Sequence, residues 1–173
     1  MTPTVEAQQA VLEALQGWAT GERSFGLVTA AIGAVWLLAA LVLWLGWARP
    51  WTVGAAVPLA LLGLIDVIVG GEAFVSASRH LEVFPTWVRE APHLVEEQAV
   101  PRLEARARGA RFSALVQMAG AVVGLLLITR GGRWRGVGLG LTAACLVDVG
   151  IERLGEARAN AALAVLSAHA LPG

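Results

Sequence analysis

The sequence predicts an all-α integral membrane protein. The architecture expected is a four-helix bundle built from two tandem helical hairpins, with amphipathic helical extensions on one membrane side. Three observations lead there. First, 57% of the 173 residues are hydrophobic and only 15% are charged, with a mean hydropathy of +0.66; a soluble domain is about half apolar and a quarter charged. Second, no charge lies between Arg23 and Arg49 or between Arg111 and Arg130, and only Asp66 and Glu72 interrupt the stretch from Pro50 to Ser78. About 20 apolar residues cross a hydrocarbon core of roughly 30 Å. Third, short breaks at Arg49-Pro50 and at Arg130-Gly131-Gly132 join the apolar runs in pairs, as in antiparallel helical hairpins.

Composition excludes several classes. The chain has 13 basic and 13 acidic residues, and every basic one is Arg. A zero balance gives no argument for nucleic acid. The single Cys145 cannot form an internal disulfide and has no Cys or His neighbours suited to a metal. Residues 1–24 are net acidic and contain no short apolar core, so no signal peptide is expected.

Residues 3–19 read as an amphipathic helix. Val5, Leu12, Leu15 and Trp18 fall on one side, with Glu6, Gln9, Glu13 and Gln16 on the other. Thr2 before Pro3 fits a cap followed by a first-turn proline. The polar face is acidic, whereas autonomous lipid-binding helices carry basic ones. This helix is therefore expected to pack on its own protein at the membrane surface.

Span one covers residues 25–47, and Arg49-Pro50 ends it. Trp44, Trp47 and Trp51 gather there, as aromatic residues do at a headgroup boundary. Span two covers 52–74 and continues as helix past Arg79 and His80 toward Phe84, ending before Pro85. Residues 85–111 are polar, and Pro85, Pro92 and Pro101 are expected to break them into short pieces. Arg102, Arg106, Arg108 and Arg111 then form an interfacial anchor leading into span three, 112–129. The Arg130–Arg135 turn leads to span four, 136–154. A helical tail continues to about His169, and Pro172-Gly173 ends it.

The halves resemble one another. Asp66 is followed by Gly71-Glu72-Ala73, and Asp148 by Gly155-Glu156-Ala157. Phe25 precedes Gly33-Ala34-Val35 by eight residues, and Phe112 precedes Gly120-Ala121-Val122 by eight. Within one domain of residues 1–173, these registers suggest a repeat of residues 3–84 in 92–169. Two double-crossing units share an orientation, so an axis along the membrane normal is expected. Both Asp residues lie roughly 21–23 Å from the tight-turn boundary at about 1.5 Å per residue.

The tight turns share one membrane side, and the termini and middle segment share the other. The terminal side holds more Arg than the turns, which favours cytoplasmic termini in a cell inner (plasma) membrane.

A carboxylate in hydrocarbon is expensive, so it should face the bundle and find partners. Asp148 and Glu152 share a helical face that Glu156 and Asn160 continue. Glu72 and Arg79 share another, and Asp66 lies toward His80. The candidate polar or ion site is therefore Asp66, Glu72, Arg79, His80, Asp148, Glu152, Arg153 and Glu156, with Arg158 as a further partner. A buried network that fixes helix register and an ion or proton pathway both fit these residues. Glu90-x-x-His93 has the spacing of a di-iron helix motif, but one copy interrupted by Pro92 makes no metal site. No cofactor or catalytic site is expected. Gly120-x-x-x-Gly124 and Gly136-x-x-x-Gly140 permit close helix approach, within one chain or between two.

The functional expectation is a non-catalytic scaffold, anchor or accessory subunit. Its partners would be the lipid bilayer and a membrane protein or a second copy of itself. The alternative is a small ion- or proton-coupled transporter or channel subunit using Asp66 and Asp148. A third reading is an interfacial membrane enzyme. A cavity reaching both Asp residues would favour transport, and a pocket joining Glu72, His80 and Glu152 would favour the enzyme.

Overall fold

The computed structural model describes residues 5–46 and 49–169. The Thr2-Pro3 cap, Trp47 and the Pro172-Gly173 end lie outside them. Among the described residues the regular structure is entirely helical: α1 (Val5–Gly46), α2 (Pro50–Glu90), a π-helical turn (Val95–Ala99) continuing into α3 (Val100–Ile128), and α4 (Gly132–Ala168). Three helices, α1, α2 and Val95–Ile128, are long and apolar enough to cross a membrane. In α4, Asp148, Glu152 and Arg153 cut the apolar stretch that follows Arg135.

Three expected breaks are absent. The amphipathic N-terminal segment and span one are a single helix of 42 residues. No proline lies within it, and its buried side chains continue from Val11 and Leu15 through Trp18 and Phe25 to Gly33. Val5, expected on the packed face, is exposed. Pro85 likewise fails to end α2. An interior proline removes one backbone donor and crowds the carbonyl four residues earlier. Here Phe84 and Val88, each 1% exposed, anchor the helix in the core on both sides of it. The real break comes at Ala91, just before Pro92, where φ is −141° and ψ is 62°. A residue before proline is pushed out of the helical region. Pro101 also fails to break the chain: it stands just after the π-helical turn, inside the continuous helix Val95–Ile128. The second tight turn uses Gly131 and Gly132 at φ of 75° and 55°, a left-handed backbone suited to glycine.

The helices pack through two different chemistries. On the terminal side lies an apolar core to which all four helices contribute. Its residues include Leu15 and Trp18 of α1, Phe84 and Val88 of α2, Leu103 of α3, and Ala159 and Leu166 of α4. Toward the tight turns, small residues take over. Gly26 of α1 faces Gly70 of α2, and Gly33 faces Gly63, in an antiparallel register. A Cβ on Gly26 would stand 2.6 Å from the Gly70 carbonyl oxygen. Small residues at such contacts let the two backbones approach closely and pack by van der Waals contact.

Gly120 and Gly124 of α3 meet Cys145, and Gly138 and Thr142, of α4, as their spacing predicts. Gly136 and Gly140 of α4 meet Trp51, Ala55 and Pro58 of α2, with the two helices running parallel. The arrangement is not symmetric: α1 touches α4, whereas α2 and α3 make no backbone approach.

Candidate functional site

The parallel packing of α2 on α4 positions the site. Gly54 sits against Arg133 and Val137, and Gly140 sits against Ala55 and Pro58. Gly54 and Gly136 are separated in sequence by the same number of residues as Asp66 and Asp148. One register therefore brings the two carboxylates to one level. Both are buried, 8% and 6% exposed. Each carboxylate has one buried oxygen, Oδ2, without a hydrogen-bond partner. The Thr29 hydroxyl of α1 is also buried without a partner. Thr29 lies one turn before Gly33, whose Cα faces the Asp66 side chain.

Glu152 stands one turn beyond Asp148, about 6 Å along α4. Its carboxylate accepts from Arg106 Nη1 at 3.2 Å, while Arg106 Nε donates to Glu22 Oε1 at 2.8 Å. The same guanidinium lies 5.0 Å above the Phe25 ring. Gly155 leaves it room, since a Cβ there would come within 3.2 Å of Nη2. Arg106 thus joins α1, α3 and α4, and the polar series runs from it through Glu152 to the Asp pair.

A second cluster is adjacent on α4. Glu156 accepts from Arg111 and, at 3.0 Å, from Arg153. The Arg111 hydrogen bond, with that of Arg153 behind it, holds the Glu156 carboxyl below its ordinary range. Arg158 Nη1 donates to the Gly21 carbonyl at 3.0 Å.

His80 belongs to a third group. It stacks on Phe84 with ring centroids 5.5 Å apart, and its Nε2 lies 2.9 Å from Arg102 Nη1. Burial, and then the Arg102 charge, keep the imidazole below its usual pKa. A neutral ring accepts from Arg102 at Nε2.

The structure therefore divides the residues expected to act together. Asp66, Asp148 and Glu152 form one series, Arg153 and Glu156 form a neighbouring ion pair, and His80 packs among aromatics. Arg79 lines a cleft beside His80. Glu72 is exposed and takes part in none of these contacts. Helical periodicity does not point to Arg106, Glu22 or Thr29 as partners of the carboxylates. Arg106 lies 84 residues from Glu22 and 46 from Glu152, so no helical periodicity links them. The cleft at His80, about 620 Å³, is lined by Glu22 and Arg106 but by none of Glu72, Glu152, Asp66 and Asp148. Glu90 closes α2 and His93 follows the break at Pro92, so the two share no helical face.

No protein-family model, curated protein sequence or solved structure matches this chain.

Proposed function

We propose that this chain is a non-catalytic multi-pass membrane protein, two tandem hairpins with all four helices crossing the bilayer, serving as a scaffold, anchor or accessory subunit. The observation that carries this reading is the continuity of the helices. Each runs unbroken from the glycine-packed layer to the apolar core on the terminal side. A surface on that side is thereby held rigidly to the membrane. Val35, Leu38, Leu64, Ile68, Leu115 and Val122 are all exposed, and lipid or a partner protein must cover so large an apolar surface. Packing supports the fourth crossing. α4 lies along α3 through Gly124 and Gly138 and turns Leu139 and Leu146 outward. The matching offsets of the glycine and Asp pairs support a duplicated unit, and the Arg distribution supports cytoplasmic termini in a plasma membrane.

Single cysteines in a Cys145→Ala background test the topology. Labels at Arg49 and Gly132 are expected on one membrane side, with labels at Glu96 and Ser167 on the other. Labels at Arg49 and Gly132 on opposite sides would overturn it.

A second reading rests on the Asp pair. The unpartnered Oδ2 atoms of Asp66 and Asp148, with the Thr29 hydroxyl nearby, suit a proton or a small cation. The protein would then be a small ion- or proton-coupled transporter or channel subunit.

A further inference from the structure

Where α2 and α3 fail to meet, the structure has a cleft of about 620 Å³. Three guanidinium groups line it, those of Arg79, Arg102 and Arg106. The acid that lines it, Glu22, is engaged by Arg106, which also holds Glu152. Among the described residues the other two cations have no carboxylate partner. Arg102 meets neutral groups there, namely His80, the Gln98 side-chain oxygen at 3.2 Å, and the Trp87 ring at 5.6 Å. Arg79 is exposed and enters no ion pair or hydrogen bond among the described residues. Trp18 also lines the cleft, and its buried indole N–H has no acceptor.

Depth identifies the occupant. Arg79 is five residues past Phe74, the end of the apolar stretch of α2, or about 7 Å along the helix. The headgroup layer is roughly 5–8 Å thick on each side of the hydrocarbon. An aromatic-walled cleft at that depth with two uncompensated guanidinium groups fits a phosphate, since Arg offers paired donors matched to its oxygens. We propose that this cleft binds the phosphate of an anionic phospholipid between Arg79 and Arg102, with the acyl chains in the hydrocarbon beside α2. The inference rests on the membrane reading above.

The test uses the full chain purified from vesicles of phosphatidylcholine alone or mixed with phosphatidylglycerol, with retained lipid measured by native mass spectrometry. The parent is expected to retain phosphatidylglycerol in preference to phosphatidylcholine. Arg79→Gln should lower that retention about fivefold, and Arg79→Gln with Arg102→Gln further, at roughly one decade per 1.4 kcal/mol and about 1 kcal/mol per interfacial cation. Arg79 has no internal partner to lose, so the single variant reads binding without a folding change. Arg89→Gln, an exposed change outside the cleft and about 22 Å past Phe74 along the helix, should leave retention within about twofold. Equal retention of the two lipids by the parent would overturn the proposal. So would an equal loss in Arg89→Gln, or unchanged retention in the double variant. Inorganic phosphate that displaces phosphatidylglycerol and remains bound would assign the cleft to a soluble anion and overturn the lipid. Insertion into phosphatidylcholine vesicles tests the membrane reading separately, because that reading does not depend on headgroup charge.

Discussion

Arg106 of α3 meets Glu22 of α1 at 2.8 Å, although the two helices make no backbone approach to one another. The guanidinium bridges that separation and reaches Glu152 of α4 with a second nitrogen. Glu22 and Glu152 are 11% and 18% exposed at their side chains, so loss of the cation leaves two poorly solvated carboxylates facing one another. Arg106→Met is expected to destabilise by about 1–3 kcal/mol. Adding Glu22→Gln and Glu152→Gln should return part of that loss, because the remaining groups are then neutral. Unfolding midpoints in detergent for the single and triple variants measure the coupling. Additive effects would mean that the bridge contributes nothing as a unit.

The glycine contacts give a paired comparison. A Cβ on Gly33 would lie 2.7 Å from both the Asp66 Cβ and the Val67 nitrogen, while one on Gly71 meets nothing within 4 Å. Gly33→Ala should cost about 1–3 kcal/mol through overpacking. Gly71→Ala should be neutral or slightly stabilising, since Ala is the better helix former. Gly124→Leu, facing Gly138 and Thr142, should behave as Gly33→Ala does or worse. Detergent unfolding of the three variants orders them.

Asp148 separates the structural and ionic roles of the buried pair. Asp148→Asn keeps polar atoms of similar shape and is expected to preserve the fold. Asp148→Leu removes them and should cost roughly 1–3 kcal/mol if the pair has polar partners. In proteoliposomes, a transport role predicts that Asp148→Asn and Asp66→Asn abolish proton or cation flux while unfolding midpoints stay near the parent's. Flux equal to the parent's in both Asn variants removes the ion pathway and leaves the scaffold reading.

His80 gives a pH dependence of definite sign. Its folded-state pKa is lowered from 6.5 by burial and by Arg102. The unfolded chain then binds more protons than the folded one in the window just below 6.5, so stability rises with pH there. The contribution is fully present above about 6.5 and is lost as pH falls toward the lowered folded value. The unfolding midpoint should therefore drop between about pH 7.5 and about pH 5.5, and His80→Gln should flatten that drop. An unchanged profile in the variant would assign the acid sensitivity to other groups.

The helical class and its apolar lengths were legible because they depend on neighbours in sequence. Charge-free runs, and glycines at the second turn, act within a few residues of where they stand. Pro85 shows where local reading fails. Its cost is local, but Phe84 and Val88 belong to an apolar cluster to which all the other helices contribute, and that packing outweighs one lost backbone bond. The fused α1 shows the same effect: hydropathy changes near Arg23, yet the backbone continues because both sides of that point are packed.

The candidate site divides along the same line. Sequence alone located Asp66 and Asp148 at matching positions and placed Asp148 with Glu152 on one face, since helical periodicity fixes both. It could not choose the cation. Arg106 was one of four arginines in a polar segment, and only the helix arrangement brings it to Glu22 and Glu152. Nor could sequence show that α2 and α3 stand apart and leave a basic cleft between them. Local hydrophobic length and turn chemistry set which segments become helices. Which helices become neighbours is decided by glycine contacts and ion pairs between residues far apart in the chain, and those interactions exist only in the assembled fold.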